Sequence, residues 1–236
     1  MKRLLALTSL VLVLTAPVAG AAGLNLNWND CTLGGGVANL NDACTAQFGT
    51  PYTLICSTNP PNMPNFVAAA GIVSLQVQPD LGLWWRYETG GCRVGKLATA
   101  IDFQVSGPFN CPDPWNTQTS GAPNYVVTGP NTADIQWVYS RPTGTHLDPL
   151  VAPDWYLVKI SLLKSAPNTA CPGCLNPACL VFRFCRLQEP APGLDITLTN
   201  PAQRQHVTWQ GGGTINCPGA TPTQKSTWGS VKALYR

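Results

Sequence analysis

All ten cysteines of this chain lie downstream of an N-terminal segment that has the features of a secretory signal. Met1-Lys2-Arg3 is basic, residues 4–18 are largely apolar, and Ala19-Gly20-Ala21 has the small side chains of a cleavage site. The apolar run is too short, and wrongly flanked, for a membrane span. We therefore expect residues 1–21 to be removed and residues 22–236 to form one exported domain without an integral membrane span.

An even number of cysteines in an exported chain is typical of a disulfide framework. We expect every cysteine to be paired, and the spacing favours two local bonds, Cys31–Cys44 and Cys92–Cys111. Cys179 and Cys185 are six residues apart in a predicted strand, so we expect them to share one strand face and to pair with different segments. The predicted disulfide cysteines are Cys31, Cys44, Cys56, Cys92, Cys111, Cys171, Cys174, Cys179, Cys185 and Cys217.

The cysteines between residues 171 and 185 also permit two other interpretations. Their C-x2-C-x4-C-x5-C spacing contains one metal-binding knuckle, whereas a structural zinc site commonly uses two. Cys171-Pro-Gly-Cys174 has the form of a redox motif, but a predicted strand follows it where a reactive cysteine would need a helix N-terminus. Both readings are less favoured than disulfides, and we expect neither a metal nor a cofactor.

Alternating apolar and polar residues recur along the chain at short intervals. The clearest examples are residues 24–29, 73–78, 97–105, 135–139 and 194–199. Residues 155–163 and 179–187 are apolar on both faces, which is typical of central strands covered on both sides. The pattern predicts an all-β antiparallel sandwich, either immunoglobulin-like or jelly-roll-like.

The last eleven residues have a different pattern. Ser226 can cap a short helix at about residues 226–236, and Trp228, Val231 and Tyr235 would then lie on one helix face. We expect this helix to pack against the sandwich. The alternative is a recognition tail for sorting or attachment.

The charge of the chain excludes one large class of partner. Charged residues make up only 11% of the sequence, and loss of Lys2 and Arg3 lowers the formal net charge from +3 to about +1. A surface with so little charge, and with no run of basic residues, does not attract nucleic acid. We therefore expect no nucleic-acid partner.

Aromatic residues give the strongest binding signal in the sequence. The chain has eight tryptophans, and Trp84 and Trp85 are adjacent in a predicted strand, so they should point to opposite faces. An outward-facing ring can stack on a sugar, with amide side chains binding its hydroxyls. Trp84, Trp85 and Tyr87 are therefore the candidate ligand-binding residues, with polysaccharide or another cell-surface component as the partner. The more favoured interpretation is that an outer layer, such as the C-terminal helix, covers the second ring.

Catalytic and calcium-binding signals are weaker. Glu88 follows the aromatic run, and a glycosidase would need a second carboxylate facing it across a cleft, such as Asp102 or Asp113. His146 and His206 are the only histidines, and neither has a nucleophile motif nearby. We assign no catalytic residue. The oxygen ligands for calcium would be Asn29, Asp30, Asn41 and Asp42, but these lack a calcium-loop motif.

Four segments of the chain resemble segments found together in uncharacterised, disulfide-rich secreted proteins of environmental bacteria. They are residues 26–31 (LNWNDC), 171–179 (CPGCLNPAC), 206–212 (HVTWQGG) and 226–236 (STWGSVKALYR). The resemblance covers essentially the whole mature chain and implies a secreted, disulfide-bonded protein. It implies no activity and no functional residue.

These observations together predict a non-enzymatic structural or binding protein in the periplasm, at the cell surface or in the extracellular space. The first alternative is a carbohydrate-binding module that uses exposed tryptophan or tyrosine. A secreted glycoside hydrolase is the less favoured alternative.

Overall fold

The computed structural model describes residues 23–46, 48–59, 63, 65–101, 109, 111–115, 120–142, 154–164, 169–190, 195–211 and 217. The predicted signal segment and the helix predicted at residues 226–236 lie outside the described residues. In the part of the chain that is described, no helix is long and apolar enough to cross a membrane.

The chain forms two β-sheets that pack around a shared core. The smaller sheet has the strand order β1-β3-β8-β5, and the larger has the order β2-β11-β9-β4-β7-β6, with β10 also paired to β9. The strands are β1 (Leu24–Trp28), β2 (Asn39–Leu40), β3 (Tyr52–Thr58), β4 (Ala68–Val77), β5 (Leu97–Ala100), β6 (Ser120–Val127), β7 (Thr132–Ser140), β8 (Trp155–Leu162), β9 (Ala178–Gln188), β10 (Ile196–Leu198) and β11 (His206–Trp209). Short 3-10 helices span Thr32–Gly34, Leu83–Trp85 and Pro201–Gln203.

This arrangement confirms the predicted sandwich. β8 lies between β3 and β5, and β9 lies between β4 and β11, which are the central positions expected for strands that are apolar on both faces. In β4 and β7, by contrast, buried and less buried residues alternate, because one face of each strand packs on the core. One pairing departs from the antiparallel prediction, since β2 and β11 run parallel.

A β-bulge in β9 changes which face its side chains occupy. The register with β4 pairs Val73 with Phe182 but Ile72 with Phe184, so Arg183 is the extra residue. Before the bulge Cys179 faces away from the core, and after it Cys185 faces inward. The prediction that these two cysteines share one strand face is therefore wrong, because the extra residue reverses the alternation.

Eight cysteines form four disulfides, which link segments far apart in sequence. The bonds are Cys31–Cys111, Cys44–Cys174, Cys92–Cys171 and Cys179–Cys217. The predicted local bonds Cys31–Cys44 and Cys92–Cys111 are wrong, because the sandwich brings distant segments together and each of these cysteines has a remote partner. Cys56 and Cys185 are buried and lie outside these four bonds.

Candidate binding site on the larger sheet

The sequence-predicted ligand-binding residues lie in the core. Trp84, Trp85 and Tyr87 are only 2%, 0% and 5% exposed. Trp84 and Trp85 belong to the 3-10 helix Leu83–Trp85 and not to a strand, so their rings do not point to opposite faces of a sheet. The prediction of an exposed stacking platform is therefore wrong.

These residues form an aromatic cluster with Tyr52 and Trp209. Trp84 stacks on Trp209, with ring centroids 5.2 Å apart and planes 22° apart. Tyr52 meets Trp209 edge to face at 4.7 Å, and Trp85 meets Trp84 in the same way at 4.7 Å. Such contacts add to the hydrophobic stabilisation of the buried rings. The cluster thus fixes the 3-10 helix against the end of β11.

Arg93 is fully buried beside this cluster. Its guanidinium lies 3.8 Å from the centroid of the Trp84 ring, and it donates hydrogen bonds to the Tyr87 hydroxyl at 2.7 Å and to the Leu163 carbonyl. Burial lowers the pKa of Arg93. Aromatic ring faces and uncharged oxygen atoms thus stabilise the buried guanidinium. Arg93 is therefore a structural part of the aromatic cluster.

The outer face of the larger sheet carries a groove of about 380 Å³. It lies across β4, β7 and β9, at the position of the bulge. We call it the outer groove and define it by its polar lining: Ser74, Gln76, Thr128, Thr132, Asp134, Arg183 and Arg204.

A hydrogen-bonded network holds the centre of the outer groove. The Ser74 hydroxyl donates to Asp134 Oδ1 at 2.7 Å, and Arg183 donates to Asp134 Oδ2, also at 2.7 Å. Asp134 is only 7% exposed, whereas the Arg183 side chain is 43% exposed. The buried carboxylate therefore holds the guanidinium in place while part of it remains open to solvent.

The polar lining has an excess of positive charge. Arg183 and Arg204 contribute two cations, and Asp134 is the single carboxylate in the described lining. The pKa of Arg204 is lowered by burial and also by the nearby positive charge of Arg183. A negatively charged ligand would relieve this repulsion.

Gln76 Oε1, an acceptor in the outer groove, is a buried polar atom that lacks a partner among the described residues. Buried polar groups are usually hydrogen-bonded, so Gln76 Oε1 can accept a hydrogen bond from a ligand or a water molecule. Trp137 Nε1 also lacks a partner in the described part of the chain, but its ring packs over Gly71 and contacts Phe182 in the core.

The other sequence candidates do not form a site in the described part of the chain. Glu88 pairs with Arg86 at 3.3 Å, and Asp113 accepts a hydrogen bond from the Trp115 backbone. His206 is half-buried on β11, and burial lowers its pKa. Asp102 and His146 lie outside the described residues.

The two carboxylates among the predicted calcium ligands have other partners. Asp42 pairs with Lys164 at 3.6 Å, and Asp30 accepts a hydrogen bond from the Cys31 backbone. Over the described ranges, no three His, Cys, Asp or Glu side chains come together in a group that could hold a metal ion.

The residues of the outer groove were missed in the sequence analysis. Arg183 stands inside a predicted apolar strand, so its charge there was an available signal. Asp134 comes directly before the predicted strand 135–139. The bulge that places Arg183 beside Asp134 has no comparable signal in the amino-acid sequence.

Comparison with known proteins gives no family assignment. No protein-family model matches the chain, and no curated protein shows significant similarity to it.

Proposed function

We propose that the protein works outside the cytoplasm as a binding protein, and that the outer groove recognises an acidic polysaccharide. The observation that carries this proposal is that two guanidinium groups, Arg183 and Arg204, and one carboxylate, Asp134, line the groove. Arginine binds carboxylates with directed hydrogen bonds, and uronic acid residues present such carboxylates along a sugar chain.

The rest of the lining suits the hydroxyl groups of a sugar. Gln76 Oε1 is an unpaired acceptor among the described residues, and Thr128 and Thr132 add hydroxyls at the same site. The four disulfides and the absence of a spanning helix in the described residues fit an exported protein. Membership of the secreted bacterial group that the sequence resembles stays a prediction.

Affinity electrophoresis in gels containing polygalacturonate or alginate would test this function, with dextran as the neutral control. Arg204→Gln should weaken retention about tenfold or more, the usual effect of losing a hydrogen bond to a charged group. Arg186→Gln is the matched control, because Arg186 lies on β9 but pairs with Asp195 and does not line the groove.

Retention should also decrease as salt is raised, because part of the attraction is electrostatic. The proposal fails if neither acidic polymer retains the wild-type protein. It also fails if Arg186→Gln weakens retention as much as Arg204→Gln does.

A structural role is the second candidate, and strand β6 favours it. This strand is at one end of the larger sheet, pairs with β7 alone among the described strands, and its first five residues are exposed. An unpaired strand edge can join a second copy of the chain. Sedimentation that shows concentration-dependent self-association, together with no polysaccharide retention, would favour this role over binding.

A further inference from the structure

Cys56 and Cys185 are the two cysteines outside the four disulfides, and both face the core. Cys56 lies on β3 of the smaller sheet and Cys185 on β9 of the larger, and each is 0% exposed. Cys185 reaches this position because the bulge at Arg183 turns the following residues inward. The two thiols therefore enter the same core from opposite sheets.

The two sheets are joined by backbone contacts near Cys56. Leu24 of β1 forms a bridge with Arg204, and the Gln205 backbone N–H donates to the Leu24 carbonyl at 2.8 Å. Cys56 is paired with Leu26, two residues from this junction. β1, which runs alongside Cys56, also contacts β9, the strand that carries Cys185. The strands of the two cysteines are thus linked through β1 on the same side of the core.

The electrostatics of the two thiols agree with this placement. Burial raises the pKa of both cysteines, and the proximity of Cys185 raises the pKa of Cys56 further. A buried thiol with a raised pKa is a poor nucleophile. After the sheets have closed, neither sulfur is therefore able to exchange readily with an external disulfide.

We propose that Cys56 and Cys185 are bonding partners, and that the exported protein carries a fifth disulfide across its core. Formation of the bond removes one hydrogen from each thiol and joins the two sulfurs. The two electrons and two protons pass to the disulfide of an export-compartment oxidoreductase, which becomes a dithiol through a mixed-disulfide intermediate. Because the folded core excludes the oxidant, this exchange takes place before the sheets close.

Counting thiols in the denatured protein tests the proposal directly. The protein is purified from an oxidising export compartment, unfolded in guanidinium with an alkylating reagent and no reductant, and analysed by intact mass and peptide mapping. We expect no alkylated cysteine and a non-reduced peptide pair that joins Cys56 to Cys185. Alkylation of both cysteines would overturn the proposal, and so would a bond from either to another cysteine.

A double-mutant cycle supplies a second readout. The changes are Cys56→Ala, Cys185→Ala and both together, with melting temperature as the measurement. If the bond exists, either single change removes it entirely, and the second change adds little to the first. We expect each single change to lower the melting temperature by about 5–15 °C. Equal and additive decreases would mean that the sulfurs only pack.

The bond between Cys44 and Cys174 is the matched control for this cycle. Its cysteines are 130 residues apart, and Cys56 and Cys185 are about as far apart, so both bonds restrict loops of nearly equal length. The same cycle on Cys44 and Cys174 therefore gives the pattern of a bonded pair. The outcome does not depend on any ligand, so it is separate from the test of the outer groove.

Discussion

The pKa of His206 depends on how deeply the fold buries its imidazole. It lies on β11 opposite Val181 of β9, next to the strand that forms part of the outer groove. Its side chain is half-buried, and burial lowers its pKa below the ordinary value of 6.5. The folded protein therefore disfavours the protonated imidazole relative to the unfolded chain.

This lowered pKa gives a stability that depends on pH in a defined direction. As pH falls below about 6.5, the unfolded chain binds a proton at this position before the folded protein does, so the free energy of unfolding decreases. The decrease ends below the folded-state pKa. We expect His206→Gln to remove this part of the pH dependence, measured by urea unfolding between pH 7.5 and 5.

His146→Gln, which changes the other histidine of the chain, is the control for this experiment. Wild-type and His146→Gln proteins should lose stability together as pH falls. The assignment to His206 would be contradicted if His206→Gln retained the full slope.

Residue identity was easier to predict than residue exposure. Trp84 and Trp85 were predicted to bind a ligand because aromatic rings can stack on sugars. Their exposure, however, depends on the 3-10 helix and on the packing of Trp209 at the end of β11. Arg183 is the reverse case. It was not predicted to bind a ligand, but its contact with Asp134 lies at the centre of the candidate site.

Among the strands, β4 and β7 depend on each other through one close contact. Gly71 of β4 is paired with Trp137 of β7, and a Cβ atom added at Gly71 would lie 2.2 Å from Trp137 Cζ2. The indole therefore occupies the space that any side chain at position 71 would need. Glycine is required here because of this close approach.

We expect Gly71→Ala to destabilise the protein by about 1–3 kcal/mol, the usual cost of overpacking a core. Trp137→Phe removes the indole atoms that the new methyl group would meet, so the double variant should recover part of the loss that Gly71→Ala causes. Urea unfolding of the four proteins gives the coupling energy. Strictly additive effects would show that this contact is not the cause.

Local pattern predicted some strands and missed others for physical reasons. β8 and β9 were predicted because long apolar runs exclude most alternatives, and β4 and β7 because their alternation is regular. β6 was missed because it contains Gly121 and Pro123, which disfavour strands. Pairing with β7 outweighs that local preference.

At the scale of the whole molecule, the disulfides differ in their access to solvent. Cys92 is exposed, whereas both cysteines of each of the other three bonds are buried. Thiol exchange requires access to a sulfur atom, so burial protects a disulfide kinetically. The bond between Cys92 and Cys171 is therefore the accessible one.

Limiting reduction of the folded protein should open that bond first. We expect a substoichiometric phosphine reductant, followed by alkylation and peptide mapping, to label Cys92 and Cys171 before the other cysteines. Reduction in guanidinium is the control, because unfolding exposes all sulfurs and should remove the order. Early labelling of Cys31 and Cys111 in the folded protein would contradict the expectation.

Fold class was predictable for this molecule, whereas its covalent connectivity was not. Composition and alternation along the chain are local properties, and they are sufficient to indicate a sandwich. A disulfide instead depends on which distant segments the sheets bring together, and three of the four bonds span 79 residues or more. Spacing alone therefore favoured local pairs that do not form.

The disulfides also determine how the molecule bears tension. A pull applied at Cys31 and Cys217 passes along the chain to Cys44, crosses to Cys174, continues to Cys179 and crosses again to Cys217. This covalent path contains only about 18 residues and can lengthen to about 60 Å, whereas the unbonded chain between the same points could reach roughly 600 Å. The disulfide bonds would thus carry the tension before the polypeptide chain could extend to its full contour length.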